Sequence, residues 1–362
     1  MGKRKNNITG LSGLARHVFD TTEPTSSPGP ASTLTSQHGS ATKRVTEPTI
    51  SSETHEEHLD TQRDSDVLDT RPKKKAKLQT GLLGPGLEKY DATGLVPFYT
   101  DASQVPEHLQ KYFSQRERFF SLYSSGCLLD EEGWYSVTPE AIADQIAERC
   151  RCNVILDAFC GVGGNAIAFA KTCERVIALD VSPVRLALAR HNAALYGVED
   201  RIEFILADFF SFARTLKQRA RRKIDVVFLS PPWGGPSYLS ATSSVSPSKP
   251  QTQPQLARSA SSSTPALAPD VDNAEETTYA DYSLEYIRPV PGAELFKIAR
   301  GLTRNIAYFL PRNTSVDEIS RLVADSPNEK VEIEEEWMGT KLKALTCYFG
   351  GLVAGQEALF NG

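Results

Sequence analysis

The residues best suited to chemistry are the run Ser230-Pro-Pro-Trp233, which directly follows the apolar residues 226–229. Two prolines fix the backbone φ angle and remove two N–H donors, so that carbonyl groups are left without a helix to use them. The Ser230 hydroxyl and the Pro231 carbonyl can then accept the two hydrogens of a planar amine, and Trp233 can stack on the ring that carries it. This pattern indicates a site for a nucleobase or amide nitrogen. The alternative is a proline turn whose tryptophan only covers the core.

A second candidate site lies where a predicted strand ends at Asp157 and runs into the turn Gly161-Val-Gly163-Gly-Asn165 and a helix. Glycine lets the backbone approach a ligand, and a helix N-terminus offers N–H groups without intrahelical partners. The turn lacks the third glycine of GxGxxG, which dinucleotide sites use. A carboxylate at Asp157 opposes a pyrophosphate but suits a ligand that carries an ammonium group and a sulfonium.

Two further acids follow the next predicted strands, Asp180 at the end of 175–180 and Asp208 after 202–206. Asp180 can accept hydrogen bonds from both hydroxyls of a ribose. Asp208 can accept an adenine amine while Phe209 packs on the ring. Any one of these acids can be an ordinary polar residue at a strand end. Three of them at successive strand ends, where open sheets bind ligands, predict S-adenosylmethionine as the cofactor.

The two sites together indicate methyl transfer to an amine. An exocyclic nucleobase amine is a poor nucleophile, because its lone pair is delocalised into the ring. Holding it in line with an activated methyl group can supply about 7–11 kcal/mol of the barrier through proximity. No strong general base is required, and the only histidine after the glycine turn, His191, falls mid-helix and is predicted to be structural. No metal site is predicted.

The elements that position these residues alternate between strands and helices, which predicts a doubly wound parallel sheet. Strands are predicted at 153–158, 175–180, 202–206, 224–229, 305–310, 330–336 and 343–349. Ser182-Pro183 and Thr138-Pro139 predict helix starts, each with an N-cap followed by proline. A basic helical stretch is predicted around 215–222. The last two strands are joined by a short turn at Met338-Gly339, which predicts an antiparallel hairpin at one edge of the sheet.

Two long polar segments fall outside this pattern. Residues 1–80 and about 240–278 are rich in Ser, Thr and Pro, so both are predicted to be disordered, the second as an insertion in the folded domain. Within the first, the basic block 71–77 (RPKKKAK) is either a solvated charge run or a nuclear import signal.

The overall composition narrows the class of protein. A net charge of −5 disfavours a long basic surface for nucleic acid, although a local piece of nucleic acid remains compatible with it. Six cysteines without CxxC spacing predict reduced intracellular thiols and no zinc site. The sequence has no secretory signal and no stretch of 18 apolar residues, so no membrane association is predicted.

Longer motifs carry a specific resemblance. They are KYFSQRERFFSLYSSGCLLDEEGWYSVTPEAIA, DAFCGVGGNAIAFA, VIALDVSPVRLALARHNAALYGV, IEFILADF, DVVFLSPPWGGPSY, AYFLPRN and KLKALTCYFG. Together they resemble the trimethylguanosine synthase family over about residues 111–350, apart from the 240–278 insertion. The resemblance implies a Rossmann-like class I S-adenosylmethionine-dependent methyltransferase, with a mostly parallel seven-stranded sheet and a C-terminal antiparallel hairpin. It also implies that residues 81–150 form a small helical lobe that closes over the pocket of a methyltransferase domain at 151–352.

The function implied by the resemblance is methylation of an RNA cap. That family transfers methyl groups to the exocyclic N2 of the 7-methylguanosine cap of small nuclear and nucleolar RNAs, which gives the 2,2,7-trimethylguanosine cap. We accordingly expect a protein of the nucleus, including the nucleolus, that acts as a monomer. Its tail is expected to contact snRNP or snoRNP proteins.

The family's site residues transfer to this sequence motif by motif. Trp233 is implied to stack on the methylated guanine, and Ser230 and Pro231 to face its N2 amine. Thr138 and Phe120 match residues that line the cofactor and cap sites. The positions that match the basic residues on the cap phosphates, and the tyrosine beside them, are Lys111, Arg312, Lys343 and Tyr238. Ser237 stands where we expect an acid, which affects the loop after Tyr238 but not the SPPW core.

Two other functions remain compatible with the motifs. One is an N-methyltransferase acting on adenine or on unmethylated guanine, which the SPPW run alone does not exclude. The other is a non-catalytic adaptor that binds caps, although such a protein has no need of the acids at Asp157, Asp180 and Asp208. An NAD oxidoreductase is disfavoured by the glycine pattern.

Overall fold

The computed structural model describes residues 16–19, 81–219, 223–235, 281–326 and 328–361. The basic block 71–77, Tyr238 and the 240–278 insertion lie outside the described residues, and what was predicted for them stays a prediction. In the described ranges no helix is long and apolar enough to span a membrane.

One eight-stranded sheet runs through the protein in the order β1-β7-β8-β6-β5-β2-β3-β4. The strands are β1 (Arg16–Phe19), β2 (Val154–Asp157), β3 (Arg175–Asp180), β4 (Ile202–Leu206), β5 (Val226–Leu229), β6 (Ile306–Pro311), β7 (Val331–Met338) and β8 (Lys341–Phe349). Strands β2 to β6 pair in parallel, and β8, β7 and β1 are added antiparallel beside β6. The strand order reverses between β2 and β5, and open sheets bind ligands at the carboxyl ends of the strands beside such a reversal.

Helices cover both faces of this sheet. They are α1 (Glu107–Phe113), α2 (Arg116–Phe119), α3 (Glu131–Ser136), α4 (Glu140–Arg149), α5 (Gly164–Thr172), α6 (Pro183–Leu195), α7 (Phe209–Arg219), α8 (Gly292–Arg300) and α9 (Val316–Arg321). Val226 and Phe228 of β5 pack into the core that contains α4, α5 and α6, whereas Val227 and Leu229 pack into the core that contains α7, α8 and α9. Because successive strand side chains point to opposite faces, a strand buried on both faces is a continuous apolar run. The predicted doubly wound fold with its C-terminal hairpin is confirmed.

The sheet has one strand more than the seven predicted. Strand β1 pairs antiparallel with β7, with Arg16 opposite Glu334 and Phe19 opposite Val331. The prediction that residues 1–80 are disordered is therefore wrong at 16–19. The edge of β7 offers unpaired backbone groups that a short extended segment can use. A strand of four residues within a polar tail carries too little periodicity to be recognised in the sequence.

Residues 81–150 contain short helices packed around buried aromatic rings. Tyr123 and Trp134 are each 2% exposed, and their ring centroids lie 5.4 Å apart. We call residues 81–136, which carry α1, α2 and α3, the lobe.

Two buried polar side chains of α6 connect the lobe to the methyltransferase domain. His191 accepts a hydrogen bond from the Ala92 N–H (3.1 Å) and donates one to the Gly126 carbonyl (3.0 Å). Asn192 exchanges hydrogen bonds with the N–H (2.8 Å) and carbonyl (2.9 Å) of Leu128 and donates to the Val162 carbonyl (2.9 Å). The structural role predicted for His191 is confirmed, and the lobe is fixed directly to the glycine turn.

Candidate active site

The glycine turn between β2 and α5 lies at the carboxyl end of the parallel strands. Gly161 and Gly163 have φ angles of 52° and 94°, in the left-handed region that glycine adopts without strain. A Cβ atom on Gly163 would lie 3.1 Å from the Cα of Ala189, so α6 packs closely against the turn there. A Cβ atom on Gly161 would meet no described atom within 4 Å. The turn therefore leaves space beside Gly161 for a ligand.

Asp180, the last residue of β3, holds this turn in place. Its carboxylate accepts hydrogen bonds from the N–H groups of Gly161 (3.1 Å) and Ser182 (2.7 Å). Ser182 caps α6 by accepting from the Arg185 N–H, with Pro183 in the first turn, as predicted. Burial raises the pKa of Asp180, and its hydrogen bonds act in the opposite direction. The structure thus brings the predicted ribose acceptor into direct contact with the predicted glycine turn.

Asp157, the last residue of β2, is fully buried. Its Oδ1 accepts a hydrogen bond from the Phe159 N–H (3.3 Å), whereas Oδ2 has no hydrogen-bond partner within the described chain. Burial, followed by the nearby charge of Asp180, raises the pKa of Asp157 to about 7. A buried carboxylate oxygen without a partner is costly, and a cationic ligand would offset that cost. Asp157 is therefore suited to an ammonium group.

Asn165 joins the first turn of α5 to the segment before α4. Its Nδ2 donates a hydrogen bond to the Thr138 hydroxyl (2.9 Å), and its buried Oδ1 has no partner among the residues described. The prediction that Thr138 caps α4 is wrong, because Pro139 holds the N-cap position and makes no side-chain cap bond. The hydrogen bond of its hydroxyl instead places Thr138 beside the glycine turn, close to the buried Asn165 Oδ1.

Asp208 and Phe209 form the junction between β4 and α7. Asp208 accepts a hydrogen bond from the Ser211 N–H (2.9 Å), which lowers the pKa of the carboxyl and starts α7 at Phe209, earlier than the helix predicted around 215–222. Phe209 is 2% exposed, and its ring centroid lies 6.1 Å from that of Phe159 in the core. Asp208 remains half-buried at the strand end. The Phe209 ring supports the turn after β2, and its predicted packing on adenine stays a prediction.

The segment Ser230–Trp233 follows β5, as the sequence predicts. The Ser230 hydroxyl donates a hydrogen bond to the carbonyl of Phe159, two residues after Asp157, at 3.4 Å. This bond holds the end of β5 against the end of β2, where the strand order reverses. The predicted amine site and the predicted cofactor site are therefore neighbours.

The carbonyl groups of this segment have different partners. The Pro232 carbonyl accepts from the Arg288 N–H (3.3 Å), and the Trp233 carbonyl accepts from the Tyr282 hydroxyl (3.2 Å). Within the described ranges no group donates a hydrogen bond to the Pro231 carbonyl. The hydrogen bonds of Pro232 and Trp233 fix the backbone there, and the role of the Pro231 carbonyl as an acceptor for an amine stays a prediction.

The Trp233 side chain packs on a second aromatic ring. Its ring centroid lies 5.2 Å from that of Phe309 in β6, at an interplanar angle of 35°. Phe309 is 6% exposed, whereas Trp233 is half-buried. An indole supported by a buried ring loses little conformational freedom when another ring stacks on it. Trp233 therefore has the rigidity that a stacking platform needs.

The lobe approaches the loop that follows Trp233. A Cβ atom on Gly235 would lie 3.7 Å from Cε2 of Tyr135 in α3. The Tyr135 and Tyr112 ring centroids are 6.3 Å apart, and Nζ of Lys111 lies 5.2 Å from the centroid of the Tyr112 ring. Two tyrosines therefore connect Lys111 of α1 to the loop after Trp233.

Two more of the predicted cations lie where β6 and β8 meet. Nη1 of Arg312 donates a hydrogen bond to the carbonyl of Leu342, the residue before Lys343. Pro311 stands opposite Ala344 in the register of the two strands. Arg312 follows Phe309 by three residues, so its Cα lies roughly 10 Å along the chain from the Cα of Phe309. The structure therefore brings Arg312 and Lys343 together just beyond the end of β6, the strand that carries Phe309.

Phe120 is buried between the lobe and α6. The side chain is 2% exposed, and its ring centroid lies 6.2 Å from that of Tyr196, the residue after α6. The ring packs the lobe on α6. The contact predicted between Phe120 and the ligands of the site stays a prediction.

Three residues of the site were not assigned by the sequence: Tyr135, Tyr282 and Phe309. Phe309 lies in the motif AYFLPRN, but a phenylalanine in a strand signals core packing rather than support of a particular tryptophan. Tyr282 and Tyr135 reach the site from segments far from Trp233 in sequence, and no local pattern reports such contacts.

The arrangement of acceptors fits S-adenosylmethionine. Asp157 Oδ2 and Asn165 Oδ1 are buried acceptors without partners in the described structure, which suits the hydrogens of an ammonium group. Asp180 is placed at the end of the neighbouring strand, where a ribose binds in open sheets. The described residues contain no group of His, Cys, Asp and Glu side chains that could hold a metal ion.

Comparison with known proteins agrees with this geometry. The family described as RNA cap guanine-N2 methyltransferase matches residues 152–266 and 273–352. The chain is 35% identical over 250 residues to the trimethylguanosine synthase of Schizosaccharomyces pombe, which covers 68% of this chain and 87% of that protein. It is 30% identical over 261 residues to the trimethylguanosine synthase of Saccharomyces cerevisiae, with 70% of this chain and 69% of that protein covered.

A further, shorter similarity is to a methyltransferase that uses the same cofactor. The chain is 36% identical over 72 residues to an uncharacterised S-adenosylmethionine-dependent methyltransferase of Mycobacterium tuberculosis, which covers 20% of each chain. The family match spans both the glycine turn and the Ser230–Trp233 segment, so it includes both halves of the site. The chain therefore belongs to the RNA cap guanine-N2 methyltransferases, which use S-adenosylmethionine.

Proposed function

We propose that this enzyme adds two methyl groups to N2 of the 7-methylguanosine cap of small nuclear and nucleolar RNAs, and so makes the 2,2,7-trimethylguanosine cap. The observation that carries the proposal is the Trp233 indole, held on Phe309 two residues after the available Pro231 carbonyl. In such a site the face of a flat base stacks on the indole, and its amine donates hydrogen bonds to two acceptors. The two fungal relatives are named for the trimethylated product.

The charge of the base explains why the methylated cap is preferred. A guanine methylated at N7 is cationic, whereas guanine is neutral. Stacking on Trp233 is worth about 1–3 kcal/mol for any base, and the cation adds up to about 2 kcal/mol when the contact is desolvated. The platform therefore selects the methylated base by an attraction that neutral guanine lacks.

The residues of the site position the amine rather than activate it. The bound cofactor supplies a methyl group on a sulfonium, which needs no further activation. Ser230 and Pro231 accept the hydrogens of N2 and direct its lone pair, and proximity of this kind contributes about 7–11 kcal/mol. The methylated nitrogen carries a positive charge and readily loses a proton, so no strong base is needed beside Pro231.

Basic residues hold the phosphates of the cap in this proposal. Arg312 and Lys343 lie together where β6 meets β8, and Lys111 lies beside the tyrosines that approach Gly235. Tyr238 is assigned to the same group by the family resemblance. Cations at these positions suit a ligand whose base is joined to three phosphates.

We further propose that the protein acts in the nucleus, including the nucleolus, as a monomer whose tail contacts snRNP or snoRNP proteins. The basic block 71–77 supports nuclear import. Replacing Lys73, Lys74 and Lys75 by glutamine in the full chain should abolish nuclear accumulation. An unchanged distribution would show that the block is a solvated charge run.

To test the proposed reaction, a capped small nuclear RNA is incubated with the full chain and S-adenosylmethionine. The RNA is then digested to nucleosides, and their masses are measured by mass spectrometry. We expect the cap nucleoside to gain one and then two methyl groups, with no methyl on internal bases. Methylation of internal adenine or guanine instead would favour an N-methyltransferase for another nucleobase and overturn the proposal.

A further inference from the structure

A cavity of about 440 Å³ opens beside Arg312, beyond the cap site. It lies on the face of the sheet that carries α9, between the end of β6 and the β7–β8 hairpin. Ile333 and Leu345 form an apolar wall, and Val316, which is 38% exposed, lies at the start of α9. Cavities of this volume hold small organic ligands.

The cavity is rigidly connected to the stacking platform through Tyr282. The Tyr282 N–H donates a hydrogen bond to the Asn313 carbonyl (2.7 Å), and its carbonyl accepts from the Ser315 N–H (3.0 Å), so its backbone pairs with two residues of the cavity wall. Its hydroxyl donates to the Trp233 carbonyl (3.2 Å). One buried residue therefore sets the distance between the cavity and Trp233.

The charged residues that line the cavity indicate which part of a nucleotide could bind there. Three carboxylates line the cavity, those of Asp281, Asp317 and Glu335, against one guanidinium, that of Arg312. A phosphate inside would be repelled by the acids, whereas ribose hydroxyls and base amines can donate hydrogen bonds to them. The phosphates would remain at the entrance, beside Arg312 and Lys343.

An aromatic side chain, that of Trp337, is bonded to one residue of this wall. Nε1 of Trp337 donates a hydrogen bond to Oε2 of Glu335 (3.0 Å), which fixes the indole next to a cavity residue. Trp337 is half-buried, so part of its surface is accessible. A base that stacks on an aromatic side chain gains affinity without regard to its identity.

We propose that this cavity binds the first transcribed nucleoside of the capped RNA, the one joined to 7-methylguanosine through the triphosphate. The inference rests on the proposed function, because the triphosphate must pass Arg312 and Lys343 for the second nucleoside to arrive there. The base packs against the apolar wall and Trp337, and the ribose donates to the carboxylates. Because stacking does not depend on the identity of the base, the cavity can bind any first nucleoside.

The test compares two probes by calorimetry on the full chain: 7-methyl-GTP, and the cap dinucleotide in which 7-methylguanosine is joined through three phosphates to adenosine. We expect wild type to bind the dinucleotide roughly 5- to 150-fold more tightly, the effect of one stacked base. Val316→Trp, which fills the cavity, should reduce this ratio to about one, and Trp337→Ala should reduce it severalfold. For each variant, the dissociation constants for the two probes are measured and their ratio is taken. This ratio is unaffected by a loss of affinity that both probes share.

Leu95→Trp is the matched control, because Leu95 is 53% exposed and lies in the lobe, away from the cavity wall. That variant should keep the wild-type ratio. Equal affinities of wild type for both probes, or a full dinucleotide advantage in Val316→Trp, would overturn the inference. A protein that neither binds nor methylates 7-methyl-GTP would instead overturn the proposed function, so the two failures are distinguishable.

Discussion

The hydroxyl group of Tyr282 donates a hydrogen bond to the main-chain carbonyl of Trp233, at a distance of 3.2 Å. Tyr282 is 2% exposed and lies 49 residues after Trp233 in the chain. The backbone that carries the stacking platform is therefore fixed by a distant residue as well as by the two prolines before it.

Loss of this bond should weaken catalysis without affecting the cofactor. Tyr282→Phe removes the hydroxyl and keeps the ring, so we expect kcat/KM for 7-methyl-GTP to fall roughly 2- to 13-fold, the effect of one hydrogen bond. Initial rates measure the fall, and calorimetry should show an unchanged affinity for S-adenosylmethionine. Tyr286→Phe is the control, since Tyr286 packs beside Tyr282 but is 40% exposed. An unchanged kcat/KM in Tyr282→Phe would contradict the positioning role.

Asp157 should make cofactor binding depend on pH. Burial raises its pKa to about 7 from an ordinary value of 3.8, so the carboxyl is mostly protonated in the apoprotein below pH 7. A cationic ligand requires the ionised form, and binding must therefore release a proton. We expect the affinity for S-adenosylmethionine to rise roughly 15-fold between about pH 5.5 and pH 7. Calorimetry in buffers of different ionisation enthalpy would also detect the released proton.

The Asp157→Asn variant tests the raised pKa of Asp157 by its effect on the free energy of unfolding. An acid whose folded pKa is raised stabilises the fold only at low pH, and that contribution is lost as pH rises through the folded value. We therefore expect Asp157→Asn to raise the unfolding free energy of the apoprotein at pH 8 by on the order of 1–4 kcal/mol, while cofactor binding becomes weak and independent of pH. A wild-type affinity that is flat across the same range would contradict the role of Asp157.

Asn192 should be important for the stability of the lobe. Its side chain makes three buried hydrogen bonds, two to Leu128 and one to Val162 in the glycine turn. Asn192→Leu keeps the volume but leaves three backbone groups unpaired, and each costs about 1–3 kcal/mol. We expect urea unfolding to show that the free energy of unfolding falls by roughly 3–9 kcal/mol. A loss of less than about 1 kcal/mol would mean that water replaces the side chain.

The insertion should be dispensable for folding and turnover. Residues 246–270 are dominated by Ser, Pro, Gln and Ala and lack the apolar periodicity of a core segment. A full chain without them should keep its thermal unfolding midpoint and its rate on 7-methyl-GTP. Complete loss of activity in a folded protein would show instead that the insertion contributes to the site.

The sequence predicted the sheet well because its strands are buried on both faces. Continuous apolar runs mark β2, β3 and β5, and the residues directly after those runs, such as Asp157, Asp180 and Ser230, must lie at one edge of a parallel sheet. β1 was missed because a four-residue strand depends on the free edge of β7 rather than on its own pattern.

The burial of aromatic residues is harder to predict from the sequence than the position of the acids at the strand ends. A phenylalanine near a site suits both a ligand and a core, and the structure places Phe120 and Phe209 in the core. Which way such a ring points depends on contacts with distant segments, as does the bond between Tyr282 and Trp233. Neither kind of contact has a period or a spacing that a sequence can reveal.

The most direct measurement is a competition assay with the purified wild-type protein and with Trp233→Ala. Each protein is incubated with S-adenosylmethionine and equimolar 7-methyl-GTP and GTP, and the products are identified by mass spectrometry. We predict that wild type adds one and then two methyl groups to 7-methyl-GTP and methylates GTP up to about 30-fold less efficiently, the limit set by the cation–π attraction. Trp233→Ala should lose this activity while it binds the cofactor normally. Equal methylation of GTP by wild type, or a normal rate in Trp233→Ala, would contradict selection of the cationic base by Trp233.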